Sequence, residues 1–196
     1  MNKRLINNIK SIINLTEEET SMLMNYWAGK KLKKNEFLFQ NGEVCRYDNF
    51  VISGALKAFY IHPETGKEEI LYFAVEDWWI TDLDSFSNQK PSIYNIQALE
   101  DSSILQIHYQ SFEKMLVKIP KLERYFRIIL QGYTASIQKR IILSNAYDSE
   151  YAYWDFADKY PKIIQKIPQY LIASYLGITP EFLSRIRAKK IKPIIS

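Results

Sequence analysis

The side chains best suited to binding chemistry lie close together near the end of the sequence. Within residues 179–190 stand Thr179, Glu181, Ser184, Arg185, Arg187, Lys189 and Lys190. Lysine and arginine neutralise phosphates, and arginine, serine, threonine and glutamate also hydrogen-bond the edges of bases. These residue types at this density predict a surface that binds double-stranded DNA.

A helix-turn-helix pattern over residues 169–187 would position these side chains. Gly177 stands where the turn needs a positive φ, which glycine adopts without steric cost. Thr179 can cap the second helix, and Pro180 fits its first position. A chance helical hairpin is the alternative, but it would not explain why the glycine, the cap and the basic face coincide. The apolar sides that would pack together comprise Ile172, Ala173, Leu176, Leu183 and Ile186.

The net charge of the chain is concentrated in the same region. Residues 162–196 carry seven basic residues and one acidic residue, an excess of +6, whereas the whole chain carries +4. The first 161 residues therefore sum to −2, and the basic excess indicates a nucleic-acid-binding module on a nearly neutral body. A solvated lysine-rich tail would explain the charge but not the helix-turn-helix pattern.

The composition argues against several other functions. Cys45 is the only cysteine among the 196 residues, so an internal disulfide or a four-cysteine metal site is excluded. His62 and His108 lie far apart, and no nucleophile triad, paired carboxylates or phosphate-binding glycine loop occurs. We therefore expect no enzyme activity, no metal and no cofactor. Because neither a signal peptide nor a membrane-spanning apolar run is visible, we expect a cytoplasmic protein with no membrane partner.

The middle of the chain has the pattern of short β-strands. Segments rich in β-branched and aromatic residues cover residues 36–40, 49–61, 69–75, 93–99 and 103–108. Asn41-Gly42 and residues 63–66 are turn signals between these segments. Several short strands at this spacing predict a β-sandwich or barrel.

Helices are predicted on both sides of the strands. Thr16 and Glu19 form a capping box for a helix over residues 17–27, and further helices are predicted at 111–118, 121–146 and 148–161. The 121–146 helix carries a 4-3 repeat that is typical of a seam between two paired helices, formed by Leu122, Phe126, Ile129, Tyr133, Ser136 and Arg140. An ordinary amphipathic helix that lies on its own domain is an alternative that explains this repeat equally well.

This order of elements resembles the Crp/Fnr family of bacterial transcription regulators. The similarity covers nearly the whole chain and is most specific in the helix-turn-helix and in residues 37–43, 52–57 and 98–102. It implies an α+β chain with a cyclic-nucleotide-binding-like β-roll (jelly roll) over residues 1–120. A dimerisation helix over 121–147 and a helix-turn-helix domain over 148–196 would follow. The resemblance also implies a homodimer paired through the seam of the long helix, and RNA polymerase as a candidate partner.

The segment that would bind an effector departs from the family pattern. Members that bind cyclic nucleotides carry Gly-Glu and then an arginine followed by serine or threonine, where this chain has Ile80-Thr81 and Ser92-Ile93. A cyclic phosphate would lack its arginine, so cAMP binding is not expected. The redox branch of the family needs several cysteines, and this chain has one. An effector, which the sequence does not identify, would meet Phe73, Trp78, Trp79, Ile80, Thr81, Ser92 and Tyr94. Plain core packing is the alternative that we favour for the aromatic members of this group.

The DNA-reading helix also departs from the family pattern. Family members often begin this helix with Arg-Glu-x-x-x-Arg, and here Pro180 replaces the first arginine while Glu181 and Arg185 match. We therefore expect a homodimeric, sequence-specific regulator with a degenerate effector pocket. Its pseudo-palindromic operator should differ from that of arginine-bearing members. The alternative is a sensor or scaffold of the same roll fold whose helical C-terminus binds protein. Salt distinguishes the two, because only DNA binding should lose affinity steeply as the salt concentration rises.

Overall fold

The computed structural model of the protein describes residues 3–190, apart from the side chain of Lys190. Two helices, α1 (Lys3–Lys10) and α2 (Glu17–Met24), precede a region of strands. The strands are β1 (Ala28–Leu32), β2 (Phe37–Phe39), β3 (Tyr47–Ser53), β4 (Ala55–Ile61), β5 (Glu68–Val75), β6 (Trp79–Ile80), β7 (Asn95–Ala98) and β8 (Ser102–His108), with α3 (Leu83–Asn88) between β6 and β7. The helices that follow are α4 (Tyr109–Lys118), α5 (Lys121–Ala146), α6 (Ser149–Lys159), α7 (Pro161–Lys166), α8 (Gln169–Leu176) and α9 (Pro180–Lys190).

The strands form two four-stranded antiparallel sheets in the orders β1-β8-β3-β6 and β2-β7-β4-β5. Alternating side chains of the two sheets enclose an apolar core that includes Leu32, Val51, Leu56 and Ile104. This arrangement confirms the predicted β-roll followed by helices. Strand β5 lies at the edge of its sheet, because it pairs only with β4 among the described strands.

The connection from β3 to β4 depends on a glycine. Gly54 has a φ of +100°, which L-residues rarely adopt. A Cβ atom added there would lie 2.2 Å from the Oγ of Ser102 and 2.8 Å from its Cα. Any side chain at this position would therefore push β8 away from the turn, which explains why β3 ends at Ser53 and β4 begins at Ala55.

The predicted elements agree with the structure where local signals are strong. The Thr16 capping box is present, with its hydroxyl accepting from the amide of Glu19. The long helix has the predicted limits. Strand β1 was missed because Ala-Gly-Lys-Lys-Leu has no β-branched pattern, and its pairing with β8 overrides that weak propensity. The single helix predicted over 148–161 is wrong, because α6 ends at Lys159 and Pro161 begins α7.

The seam of α5 makes contacts within its own chain, and its assignment as a dimer contact stays a prediction. Leu122 is fully buried, and Phe126 and Ile129 pack against the same cluster beside the roll. Tyr133 meets the ring of Tyr72 at 6.1 Å. The roll and the C-terminal helices therefore supply apolar and carbonyl partners to part of this seam. The residues predicted for the dimer contact are Leu122, Phe126, Ile129, Tyr133, Ser136 and Arg140.

The C-terminal helices are docked on the roll through a shared apolar core. Phe73 and Val75 of β5 belong to the same buried cluster as Phe156 of α6 and Leu171 of α8. Ser174 of α8 caps the free edge of β5, since its Oγ accepts from the amide of Ile70 at 3.2 Å. The same hydroxyl donates to the carbonyl of Glu68 at 3.2 Å. The helix-turn-helix therefore covers an unpaired sheet edge and takes a fixed orientation on the roll.

Candidate nucleic-acid interface and effector pocket

A turn of three residues joins α8 to α9. Gly177 ends α8 with φ +68°, and the amide of Ile178 donates to the carbonyl of Ala173 at 3.0 Å. The Oγ1 of Thr179 accepts from the amide of Phe182 at 3.2 Å, so the predicted N-cap is confirmed. The apolar sides of the two helices are closed against each other, and the buried residues there include Ile172, Ala173, Leu183 and Ile186. This local geometry is a helix-turn-helix with α9 as its outer helix.

The predicted DNA-binding side chains lie on the solvent-facing side of α9. The exposed members are Thr179, Glu181, Ser184, Arg185, Arg187 and Lys189, while the side chain of Lys190 lies outside the described residues. Lys189 forms an ion pair with Glu150 of α6 at 2.5 Å, in which the Lys189 side chain is exposed and the Glu150 side chain is half-buried. An exposed pair of this kind is weak, so Lys189 remains able to exchange Glu150 for a phosphate.

Two residues of this surface were missed by sequence reasoning. Phe182 is exposed on α9, and the guanidinium of Arg185 lies 5.3 Å from its ring centroid. This cation–π contact restricts where Arg185 can point. Glu150 was missed because it lies 39 residues from Lys189 in the chain, and only the tertiary fold brings the two together. The exposed aromatic residue three positions before Arg185 was a usable signal for the first contact.

The residues predicted to meet an effector divide into two groups. Trp78, Trp79, Thr81 and Tyr94 line a cavity of about 620 Å³ between the roll, α5 and α6. The prediction is corrected for Ile80 and Ser92, which are 1% and 2% exposed and do not line this cavity, because both side chains pack inside the roll. Phe73 is also buried and reaches only a neighbouring space of about 100 Å³.

The polar atoms around Thr81 are satisfied within the protein. The carbonyl of Thr81 accepts from the hydroxyl of Tyr72 at 2.5 Å and from that of Tyr94 at 3.1 Å. Its own hydroxyl lies 3.3 Å from the Sγ of Cys45. Burial raises the pKa of the Tyr94 hydroxyl, so it remains a neutral hydrogen-bond donor. This segment is therefore held by tyrosines where the family pattern has Gly-Glu.

A buried carboxylate occupies the position next to this segment. Asp82 is 4% exposed, and its Oδ1 accepts from the amides of Asp84 and Ser85 at the start of α3. Its Oδ2 accepts from the hydroxyl of Ser92 at 2.7 Å. Ser92 thus stands where the family pattern has an arginine and is used to hold a negative charge. An anionic ligand would meet the Asp82 carboxylate instead of a guanidinium.

Residues 3–190 contain no group of three or more histidine, cysteine, aspartate or glutamate side chains that could hold a metal ion. Within the same range no helix is both long enough and apolar enough to cross a bilayer.

The roll, the long helix and the terminal helix-turn-helix together define a class of protein. A cyclic nucleotide-binding domain matches residues 29–118, and the curated proteins similar to this chain include transcription regulators of the Crp/Fnr type. The chain is 27% identical to the regulatory protein HlyX of Actinobacillus pleuropneumoniae over 186 residues, covering 88% of this chain and 75% of that protein. It is 30% identical to the transcriptional activator Anr of Pseudomonas aeruginosa over 117 residues, covering 59% of this chain and 46% of Anr.

Solved structures share the same architecture. FixK2 from Bradyrhizobium japonicum superposes with a TM-score of 0.69 and 16% identity, covering 83% of each chain. At this level of identity the similarity establishes the fold and no finer property.

Proposed function

We propose that the protein is a homodimeric transcription regulator that reads a specific DNA sequence through α9 and does not bind cAMP. The observation that carries this proposal is the outer side of α9. Its cationic and hydroxyl side chains are exposed, while the opposite side is buried against α8. A helix held in this way can enter a major groove with its polar side towards the bases.

Position along α9 suggests separate roles for its residues. Glu181 and Arg185 lie in the first turns of the helix, so we assign them to base edges, with Arg185 suited to guanine. Arg187 and Lys189 lie further along and are assigned to phosphates, as is Lys190 from the sequence. Because α9 takes one orientation relative to the roll, two copies should read half-sites about 34 Å apart, one helical turn of DNA.

The outward side of α5 is the face that we propose for the dimer contact. Leu130, Ile137 and Ile141 follow a helical spacing and are 43%, 40% and 53% exposed in the single chain. Covering a side chain of this kind contributes up to about 1.5–3 kcal/mol. A groove of about 510 Å³ between α4 and α5, lined in part by Phe112 and Leu116, lies beside this face and can receive side chains of a second copy.

The proposal that cAMP is not an effector depends on charge. The cyclic phosphate is an anion, and the lining of the 620 Å³ cavity includes Asp77, Asp82 and Asp84, with Lys159 as its one cationic residue and no arginine. A buried anion that lacks the paired hydrogen bonds of an arginine is costly. Isothermal calorimetry with cAMP and cGMP on the purified protein should therefore give no measurable heat of binding, and micromolar binding of either would contradict this part of the proposal.

DNA selection tests the proposal as a whole. Incubating the full chain with random duplexes and recovering the bound fraction should enrich a pseudo-palindromic sequence. Affinity for that sequence should fall steeply between 50 mM and 200 mM salt, because phosphate binding releases counterions. If no sequence is enriched and salt has little effect, the helical C-terminus is better explained as a protein-binding module on the same roll fold.

A further inference from the structure

The cavity of about 620 Å³ lies where three parts of the molecule meet. Trp78 and Tyr94 come from the roll, Tyr133 from α5 and Tyr160 from α6. Its volume is within the range of small-molecule sites, about 300–1,000 Å³. Aromatic rings dominate the lining, and flat aromatic surfaces select flat ligands. A molecule bound here would touch the sensor roll, the long helix and the helix-turn-helix domain at once.

Gly132 keeps one wall of this cavity open. It lies in the middle of α5, where glycine is less favourable for a helix than alanine. A Cβ atom added to Gly132 would meet no atom within 4 Å, so nothing in the surrounding packing requires a glycine. Gly132 lines the cavity beside Ile129 and Ser136. The missing side chain leaves space that a ligand can use.

Three polar groups of the lining lack a partner within the described protein. The hydroxyls of Tyr133 and Tyr160 and the indole N–H of Trp78 make no hydrogen bond to another described residue. In contrast, the hydroxyls of Tyr72 and Tyr94 both donate to the carbonyl of Thr81. The lining therefore offers donors, and it suits a ligand that carries hydrogen-bond acceptors.

The charges around the cavity argue against an anionic ligand. Asp77 is paired with Arg4, and Asp84 is paired with Lys90. Asp82 has only amide and hydroxyl partners among the described residues, so its negative charge is not neutralised by a cation. Lys159 is the one cationic residue in the described lining, and its ammonium lies 5.1 Å from the ring centroid of Tyr160.

We propose that this cavity binds an uncharged, flat aromatic molecule with hydrogen-bond acceptors, held between the tryptophan and tyrosine rings against the backbone of Gly132. Because its walls come from the roll, α5 and α6, such a ligand changes the stability of the docked arrangement and thereby the DNA affinity. This last consequence rests on the proposed regulator function, whereas the binding itself does not.

A pair of fluorescent probes tests the ligand class on the full chain. 7-Methoxycoumarin is uncharged and carries a lactone carbonyl that accepts hydrogen bonds, and 7-methoxycoumarin-3-carboxylate has the same ring skeleton with an added carboxylate. We expect saturable binding of the uncharged probe at one site per chain, with quenching of tryptophan emission through Trp78 and Trp79. The carboxylate should bind at least tenfold more weakly. Equal or tighter binding of the carboxylate would overturn the proposal.

Two variants locate the site. Gly132→Phe fills the cavity and should weaken binding of the uncharged probe at least tenfold, while Ala135→Phe, at an exposed position of the same helix outside this lining, is the matched control and should bind like the wild type. If circular dichroism shows that Gly132→Phe is unfolded, Leu83→Trp decides, because Leu83 is an exposed residue of the lining and tolerates a larger side chain. Unchanged probe binding in the folded variant means that the probe binds elsewhere and the proposal is wrong. No DNA enters this experiment, so a failure here leaves the proposed regulator function standing, and a failure of DNA selection leaves the ligand site standing.

Discussion

Arg140 is expected to hold the helix-turn-helix domain against the roll. Its Nη1 donates to the carbonyl of Leu71 on β5 at 2.6 Å, and its Nη2 donates to the carbonyl of Tyr175 on α8 at 2.8 Å. A longer contact reaches the carbonyl of Ile70 at 3.4 Å, and the guanidinium lies 4.0 Å from the ring centroid of Tyr175. One side chain of α5 thus connects the sheet edge to the last turn of α8, where cations are favoured by the helix dipole.

The expected loss on Arg140→Ala follows from these contacts. Hydrogen bonds with a charged partner contribute about 1.5–3 kcal/mol each, and a partly exposed cation–π contact contributes about 0.5–2 kcal/mol. The contacts share one half-buried ion, so they do not add, and we expect the free energy of unfolding to fall by about 2–4 kcal/mol. At a typical dependence on denaturant, this loss lowers the urea midpoint by roughly 1–2 M.

Two measurements test this expectation. Urea unfolding followed by circular dichroism gives the change in stability, and hydrogen exchange reports whether the amide of Ile70, bonded to Ser174, loses its protection. Arg140→Lys keeps the charge but not the fork of donors, and should lose an intermediate amount. Arg127→Ala on the exposed side of the same helix is the control. If Arg140→Ala and Arg127→Ala unfold at the same midpoint with the same protection of Ile70, the domain contact does not depend on Arg140.

Three further changes are expected to have separate effects. Replacing Ile137 and Ile141 together by aspartate should give monomers in analytical ultracentrifugation, because charges would replace the exposed apolar face of α5. Arg185→Ala should cost about 1–3 kcal/mol on the selected site and much less on random DNA, whereas Lys189→Ala should weaken both similarly and reduce the salt dependence. Burial raises the pKa of Asp48 to about 7, so above this pH the folded wild type must hold a buried negative charge. Asp48→Asn removes this charge and should therefore stabilise the protein above neutral pH. The wild type binds the extra proton only when folded, so its stability should fall as the pH rises from about 4 to about 7, and the variant should lose this dependence.

Each of these three expectations has its own control. Ile93→Asp alters another exposed isoleucine outside α5 and should leave the dimer intact; a dimer that survives the double substitution with unchanged stability places the interface elsewhere. Equal losses for Arg185→Ala and Lys189→Ala on every DNA sequence would refute the division into base reader and phosphate anchor. Thermal unfolding of the wild type and Asp48→Asn from pH 4 to pH 8 should give curves that separate towards high pH. Parallel curves would show that Asp48 does not titrate in this range.

The sequence determined those parts of the protein whose signals are local. The capping box at Thr16, the turn at Gly177 and the cap at Thr179 each act within a few residues, so their geometry follows from residue type and spacing. The buried sides of α8 and α9 follow from helical periodicity for the same reason. Once the apolar side of α9 is assigned to the core, its cationic side must face the solvent.

Only the tertiary structure decided which side of α5 faces inward. One stripe contains Leu122 and Ile129, and a second contains Leu130, Ile137 and Ile141, so periodicity alone supports either one as a contact between chains. The roll and the docked helices cover the first stripe and leave the second exposed. The contacts of Arg140 with β5 and α8 could not be predicted from the sequence either, because they connect residues 69 and 35 positions apart. Contacts of this kind depend on how whole elements pack, and no spacing along the chain encodes that packing.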